Sequence, residues 1–176
     1  EVLAGATLGF MARLAALALP AAGQILSTMI GLANVLQPDP VLGAQATPVS
    51  RLFSLAVPLL VLTTGLHGLA LTALVGSYTA WPPGEVPDGS AGAVVASVSA
   101  FLVLAVRLAA PFLIAGLLWQ AALGLLARLV PQLQVFTLAM PGQILGGLAL
   151  LGILGTGLLR LWESGLREAL ALLPGS

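Results

Sequence analysis

Few side chains in this sequence have the types and spacing that chemistry requires. The single histidine, His67, lies inside an apolar run, and from Leu52 to Pro83 there is no charged residue beside it. A proton relay or a metal site would need a carboxylate or a second imidazole in the same segment. His67 is therefore read as a structural hydrogen-bonding group. An intramembrane protease would need a Ser/His pair or two aspartates at depth, whereas Asp39 and Asp88 fall in Pro- and Gly-rich stretches. There is no HExxH, no GxSxG and no Gly-rich phosphate loop followed by lysine. With no cysteine, thiolate chemistry and disulfides are absent too. The expectation is a non-enzymatic protein with no catalytic residue, no metal and no cofactor.

Composition says what such a chain is for. Of 176 residues, 59% are apolar and only 7% charged, and the mean hydropathy is +1.11. These values lie far outside the soluble globular range and predict an all-α, polytopic membrane protein. Six arginines and six acids cancel and lysine is absent, so there is no basic field for nucleic acid. The chain opens at Glu1 without Met or a basic n-region, so no signal peptide is read.

In chain order, Val2 to Ala12 and Leu14 to Leu36 are apolar runs split only by Arg13, and the second is long enough for the roughly 30 Å of hydrocarbon. Gly5 and Gly9 are spaced as GxxxG, which favours close helix approach. Gln24, Ser27 and Thr28 point either to an assembly face or to a satisfied contact within the chain. Gln37 to Ser50, with three prolines, is read as a loop. An ordinary turn and a re-entrant or plugging element both fit it. Leu52 to Tyr78 is read as one span interrupted by Pro58, with Tyr78 and Trp81 at an interface.

The stretch Arg128 to Pro141, RLVPQLQVFTLAMP, is a polar joint between long apolar segments. Pro131 ends the preceding helix near Leu129, and an apolar run resumes at Val135, so a helical hairpin turns here. The arm before it, Ala93 to Leu129, would reach roughly 55 Å as one helix, so it either kinks at Pro111 or protrudes. Arg107 within it calls for an inter-subunit ion pair or for snorkelling. The arm after it carries Gly142, Gly146 and Gly147 on a face built to touch other helices. From Arg160 onward a polar stripe with Glu163 and Arg167 at i,i+4 indicates an interfacial or aqueous segment.

Read as an ordered set, EVLAGATLGF at 1–10, GLANVLQPDP at 31–40, Arg51, HGLALTALVGSYTAWP at 67–82 and RLVPQLQVFTLAMP at 128–141 resemble the FliR family of export-gate proteins. That family serves flagellar export and, in its virulence members (SctT), injectisome secretion. Asp39-Pro40, His67, Ser77-Tyr78 and Arg128 to Gln132 match recurring family features. Leu66 stands where the family usually has glycine, and the first loop is poorer in phenylalanine.

The resemblance implies a subunit that joins FliP and FliQ, with FlhB nearby, in a helical export-gate complex at the bacterial inner membrane and flagellar basal body. Unfolded export substrates would pass through its centre. Residues 1–92 would be gate-forming helices with a pore loop at 31–50, including Gly31, Asn34, Gln37, Pro38, Asp39, Pro40, Val41 and Leu42. Residues 93–176 would form the FliQ-like hairpin, with Arg128, Pro131 and Gln132 at its joint and His67 and Arg107 as buried polar groups. Further helices would precede Glu1. A virulence homologue and a small-molecule transporter are the alternatives, the latter without the inverted repeat it would favour. The acidic loop at 82–92 suits the periplasmic side, and Arg51 and Arg128 the cytoplasmic side.

Overall fold

A computed structural model describes residues 2–32, 47–80, 90–129, 135–171 and 173. Among them are five helices: α1 (Val2–Met29), α2 (Pro48–Thr63), α3 (Leu66–Ala80), α4 (Ser90–Leu129) and α5 (Val135–Ala171). The chain is all-α, and α1, α4 and α5 each contain a stretch long and apolar enough to cross a membrane. Arg13 does not divide the first apolar run: α1 passes through it with the guanidinium exposed, and ends at Met29.

The core is built around α1. Ala18, Leu19, Ala22 and Leu26 have no exposure at all, and α2, α4 and α5 all pack on this helix. Small residues set the spacing. A Cβ on Gly23 would come within 2.8 Å of Phe53 Cδ2 and 2.9 Å of Ser50 Cα, so α2 lies directly on the α1 backbone. A Cβ on Gly116 of α4 would meet Met29 Sδ at 3.2 Å, and one on Gly165 of α5 would meet Leu104 Cδ1 at 2.6 Å.

These contacts fix the chain directions. Met11 shares a cavity wall with Phe101, Leu104 and Gly165, whereas Met29 and Ile30 meet Gly116 and Gly147. Helices α1 and α4 therefore run parallel, and α5 runs antiparallel to both. Helix α4 is one 40-residue helix with Pro111 inside it, about 60 Å long. Four prolines, Pro20, Pro58, Pro111 and Pro141, sit inside helices without ending them. Neighbouring helices can re-satisfy the backbone groups that a proline frees within a membrane bundle.

Two expectations need correction. Pro48 to Ser50 belong to the first turn of α2, where proline is pre-organised for helix, so the loop is shorter than its prolines suggest. The expected single span from Leu52 to Tyr78 is two helices bent by 74°, and the break falls at Thr64–Gly65 and not at Pro58. Gly65 has φ +75°, a left-handed conformation open to glycine, and its N–H donates to Leu62 O at 3.4 Å. The hydroxyls of Thr63 and Thr64 donate back to Leu59 O and Leu60 O at 2.9 and 2.7 Å, closing the last turn of α2. The break at Pro131 and the resumption at Val135 follow the sequence reading, since α4 ends at Leu129 and α5 begins at Val135.

The end of α5 follows the sequence reading. Leu166, Leu170 and Leu173 are buried, Arg160 is exposed, and Arg167 Nη2 donates to Glu163 Oε1 at 3.0 Å. At this exposure the pair contributes a few tenths of a kcal/mol.

Two stability predictions follow from the packing. Gly147→Ala drives a methyl into Ile30 and is expected to cost about 2 kcal/mol, whereas Gly146→Ala, with open space around it, is expected to be neutral or better. Thermal denaturation in detergent separates them, and equal melting temperatures would refute the contact. Ser27 is wholly buried and its Oγ has no hydrogen-bond partner. Ser27→Ala is expected to raise stability by about 1 kcal/mol in the same assay.

Candidate functional site

The polar groups that matter gather at the Met29 end of the bundle, where the chain leaves α1 and later returns into α2. Residues 33–46 lie between these points, so Asn34, Gln37, Pro38, Asp39, Pro40, Val41 and Leu42 fall outside the described residues.

At the start, the last turn of α1 leaves backbone carbonyls without intrahelical donors. Gly31 adopts φ +80° and ends the helix, with its N–H donating to Thr28 O at 3.3 Å. The carbonyl of Met29 accepts a hydrogen bond of 2.7 Å from Gln143 Nε2, a residue of α5. Gln143 and Gly147 are one turn apart on the same helical face, and Gly147 admits Ile30. A cavity of about 140 Å³ adjoins this contact, lined by Thr28, Gly31, Gln120, Leu123, Met140, Gln143 and Ile144.

At the return, Thr47 stands at the N-cap of α2 with extended backbone and makes no side-chain cap bond. Its N–H and hydroxyl instead donate to Gln24 Oε1 at 3.2 and 3.0 Å. Of the polar trio on α1, Gln24 is thus engaged within the chain, Thr28 donates to Gln24 O at 2.8 Å, and Ser27 is buried without a partner. Of the two readings of these residues, an assembly face or a contact within the chain, Gln24 and Thr28 show the second, and Gln143 received no role because nothing local shows that α5 will meet the end of α1.

The hairpin joint reaches the same end. Arg128 is exposed in the last turn of α4, while Pro131 and Gln132 lie outside the described residues. Gly142 faces the Trp119 ring, whose Cη2 lies 3.6 Å from its would-be Cβ, and Gly146 has nothing within 4 Å. An apolar cavity of about 250 Å³ lies between Met29, Phe112, Trp119, Gly146 and Leu150.

The two expected buried polar groups are not buried by this chain. His67 is exposed, with Nδ1 3.4 Å from Val61 O. Arg107 is exposed on α4 and shares a cavity of about 360 Å³ with Glu168, Ser97 and Ser164. A helix that is apolar overall still has one face on which a guanidinium can reach outward. The described arginines stand at both ends of the bundle: Arg51 and Arg128 towards Met29, and Arg13, Arg107, Arg160 and Arg167 towards the other. Among the described residues, charge therefore does not choose an orientation. No group of three or more His, Asp or Glu suited to a metal occurs among them either.

Comparison with known proteins places this architecture. A family model described as bacterial export proteins, family 1, matches residues 1–169. The flagellar biosynthetic protein FliR of Caulobacter vibrioides is 35% identical over 172 residues, which is 97% of this chain and 68% of that protein. The Yop proteins translocation protein T of Yersinia pestis is 33% identical over 145 residues, 80% of this chain and 56% of that one. The FliR of Escherichia coli is 29% identical over 156 residues, 88% and 60%. The chain thus spans from 56% to 68% of the length of these relatives.

Proposed function

This chain belongs to the bacterial export proteins, family 1, and on that premise we propose that it is a non-enzymatic core subunit of the flagellar type III protein export gate. Together with FliP and FliQ, and in contact with FlhB, it would form the inner-membrane pore through which unfolded export substrates pass in the basal body. The observation that carries the proposal is the identity with a flagellar FliR across almost the whole chain. The similarity to the Yop translocation protein supports a second reading, the equivalent subunit of an injectisome.

The geometry suits a gate subunit. The segment between Gly31 and Thr47 springs from the bundle end that also carries the hairpin joint, and both its flanks are tied to the helical frame. We assign this segment as the closure of the pore, residues 1–92 as the gate-forming part and 93–176 as the FliQ-like hairpin. The exposed apolar residues of α4 and α5, among them Leu117, Leu125, Leu145 and Ile153, are free to meet lipid or partner helices. His67 and Arg107, exposed here, would become buried polar groups at contacts with other subunits.

Purification from detergent tests the assembly: FliP and FliQ are expected to come with this protein, and their absence would overturn the proposal. A closure stabilises the shut pore, so its loss shifts an open–shut equilibrium without preventing assembly. Each 1.4 kcal/mol lost raises the open fraction about tenfold while that state is a minority. Deletion of Val41 to Ala46 is therefore expected to give assembled gates that leak small ions, measured as membrane conductance. Assembled but tight gates would show the segment to be a connector. A cysteine at Gln132 is expected to react with an impermeant thiol reagent only from the cytoplasmic side, and periplasmic labelling would invert the topology.

A further inference from the structure

We propose that the cavity between α4 and α5 is a headgroup site for a phospholipid that carries a primary ammonium, such as phosphatidylethanolamine. Arg107 takes the phosphate and Glu168 the ammonium. The site stands on this chain's own residues. It deepens the export-gate reading in one respect, and rests on it there alone: it names what neutralises Arg107 at a contact with other subunits.

Charges fix the level of the cavity. Arg107 and Arg128 bracket about 20 residues of α4 without a charged side chain. At 1.5 Å per residue these rise roughly 30 Å, the thickness of the hydrocarbon of a bilayer. Two other helices mark the same level. Leu161, next to Arg160, lines the cavity together with Arg107, and so does Met11, close to Arg13. No charged residue lies between the start of α5 and Arg160, or between Arg13 and the end of α1. The cavity thus opens on the headgroup side of the hydrocarbon boundary, where basic pockets between helices meet lipid phosphates.

The polar lining calls for a zwitterion. The Arg107 guanidinium offers donors only. Ser97 Oγ donates to Ala93 O at 2.9 Å and Ser164 Oγ to Leu161 O at 3.0 Å, so each hydroxyl has placed its proton and is left to accept. The Glu168 carboxylate accepts as well. Arg107 and Glu168 share the cavity without pairing: among the described residues the ion pair present is Arg167–Glu163. A ligand that answers both must carry an anionic acceptor and, close to it, a cation with several N–H groups. Phosphoethanolamine joins the two through a short ethylene link. The direction also fits. Gly165 lies level with Leu104, so Glu168, further along the antiparallel α5, stands outward of Arg107, as an ammonium stands outward of its phosphate.

The rest of the lipid has apolar surface to follow. At about 360 Å³ the cavity has room for the headgroup, and Met11, Phe101 and Leu104 give it an apolar inner wall. Towards the hydrocarbon, Ile114 and Leu118 follow Arg107 on one face of α4 at i+7 and i+11, 60% and 67% exposed. Acyl chains can lie along that stripe.

Native mass spectrometry reads the site in the full-length protein, stripped of lipid in detergent with whatever subunits accompany it. Phosphatidylethanolamine, phosphatidylcholine and phosphatidylglycerol are titrated back separately. Phosphatidylethanolamine is expected to bind about fivefold more tightly than phosphatidylcholine, whose trimethylammonium has no N–H for Glu168, and than phosphatidylglycerol, which has no cation. Arg107→Gln is expected to weaken phosphatidylethanolamine about tenfold. Glu168→Gln is expected to abolish the preference over phosphatidylglycerol. Both residues are exposed, so neither change disturbs packing. Equal binding of the three lipids, or parental binding by R107Q, would overturn the proposal. Equal competition by glycerophosphoethanolamine, which lacks acyl chains, would overturn the lipid as occupant. Loss of FliP and FliQ from R107Q in lipid-free detergent would also overturn it, by giving the guanidinium to a carboxylate of a partner subunit. Selectivity in a protein that purifies without FliP and FliQ would leave the site standing and remove the export-gate reading. A FliP–FliQ complex without selectivity would do the reverse.

Discussion

Everything in this bundle depends on how closely helices can approach α1. Water supplies little drive for helices to associate within lipid, so association rests on van der Waals contact and on the hydrogen bonds that contact permits. Ala18 and Ala22 on α1 are completely covered, and Gly23, Gly116, Gly147 and Gly165 stand where a larger side chain would collide with its neighbour. The hydrogen bonds from Gln143 and to Gln24 are consequences of that approach, because their reach is short and the backbones must come to them.

A tightly packed centre leaves the outside to other purposes. Much of the apolar side chain of α4 and α5 faces outward, as Leu118, Leu129 and Ile153 show, whereas α1 spends its apolar face internally. Intrachain packing is thus concentrated on one helix, and the hairpin of α4 and α5 keeps broad surfaces for lipid or for subunits of an export complex. The cavity shared by Met11, Arg107 and Glu168 shows the same division, with an inner apolar wall and charged groups at its rim.

What the sequence discloses here is mostly local. Pro131 and the glutamines around it predict both the end of α4 at Leu129 and the start of α5 at Val135. The stripes after Arg160 predict the buried leucines and the Glu163–Arg167 pair. Expectations fail where a residue's effect depends on what lies across from it. Pro58 looks like the breaker in the second apolar run, yet the bend belongs to Gly65, whose left-handed backbone is invisible in a hydropathy pattern. Gly146 and Gly147 are indistinguishable by composition, and only the placement of Ile30 separates the packed one from the open one. Gln143 carries no local signal, because its partner is a backbone carbonyl 114 positions earlier in the chain.

The parallel course of α1 and α4 carries a further consequence, for how the chain returns between them. A chain that climbs through α1 and climbs again through α4 must descend between them, and the bent pair α2–α3 is the helical stretch placed to do it. Helix α5 descends last, so the described helices return the chain to the end of the bundle at which α1 begins. Val2 and Ala171 thus lie towards one end of the bundle, and Met29 and Leu129 towards the other. The return between α1 and α4 is made by a pair of helices with a 74° elbow at Gly65, which counts as a fourth membrane-crossing stretch only when the pair is taken as one.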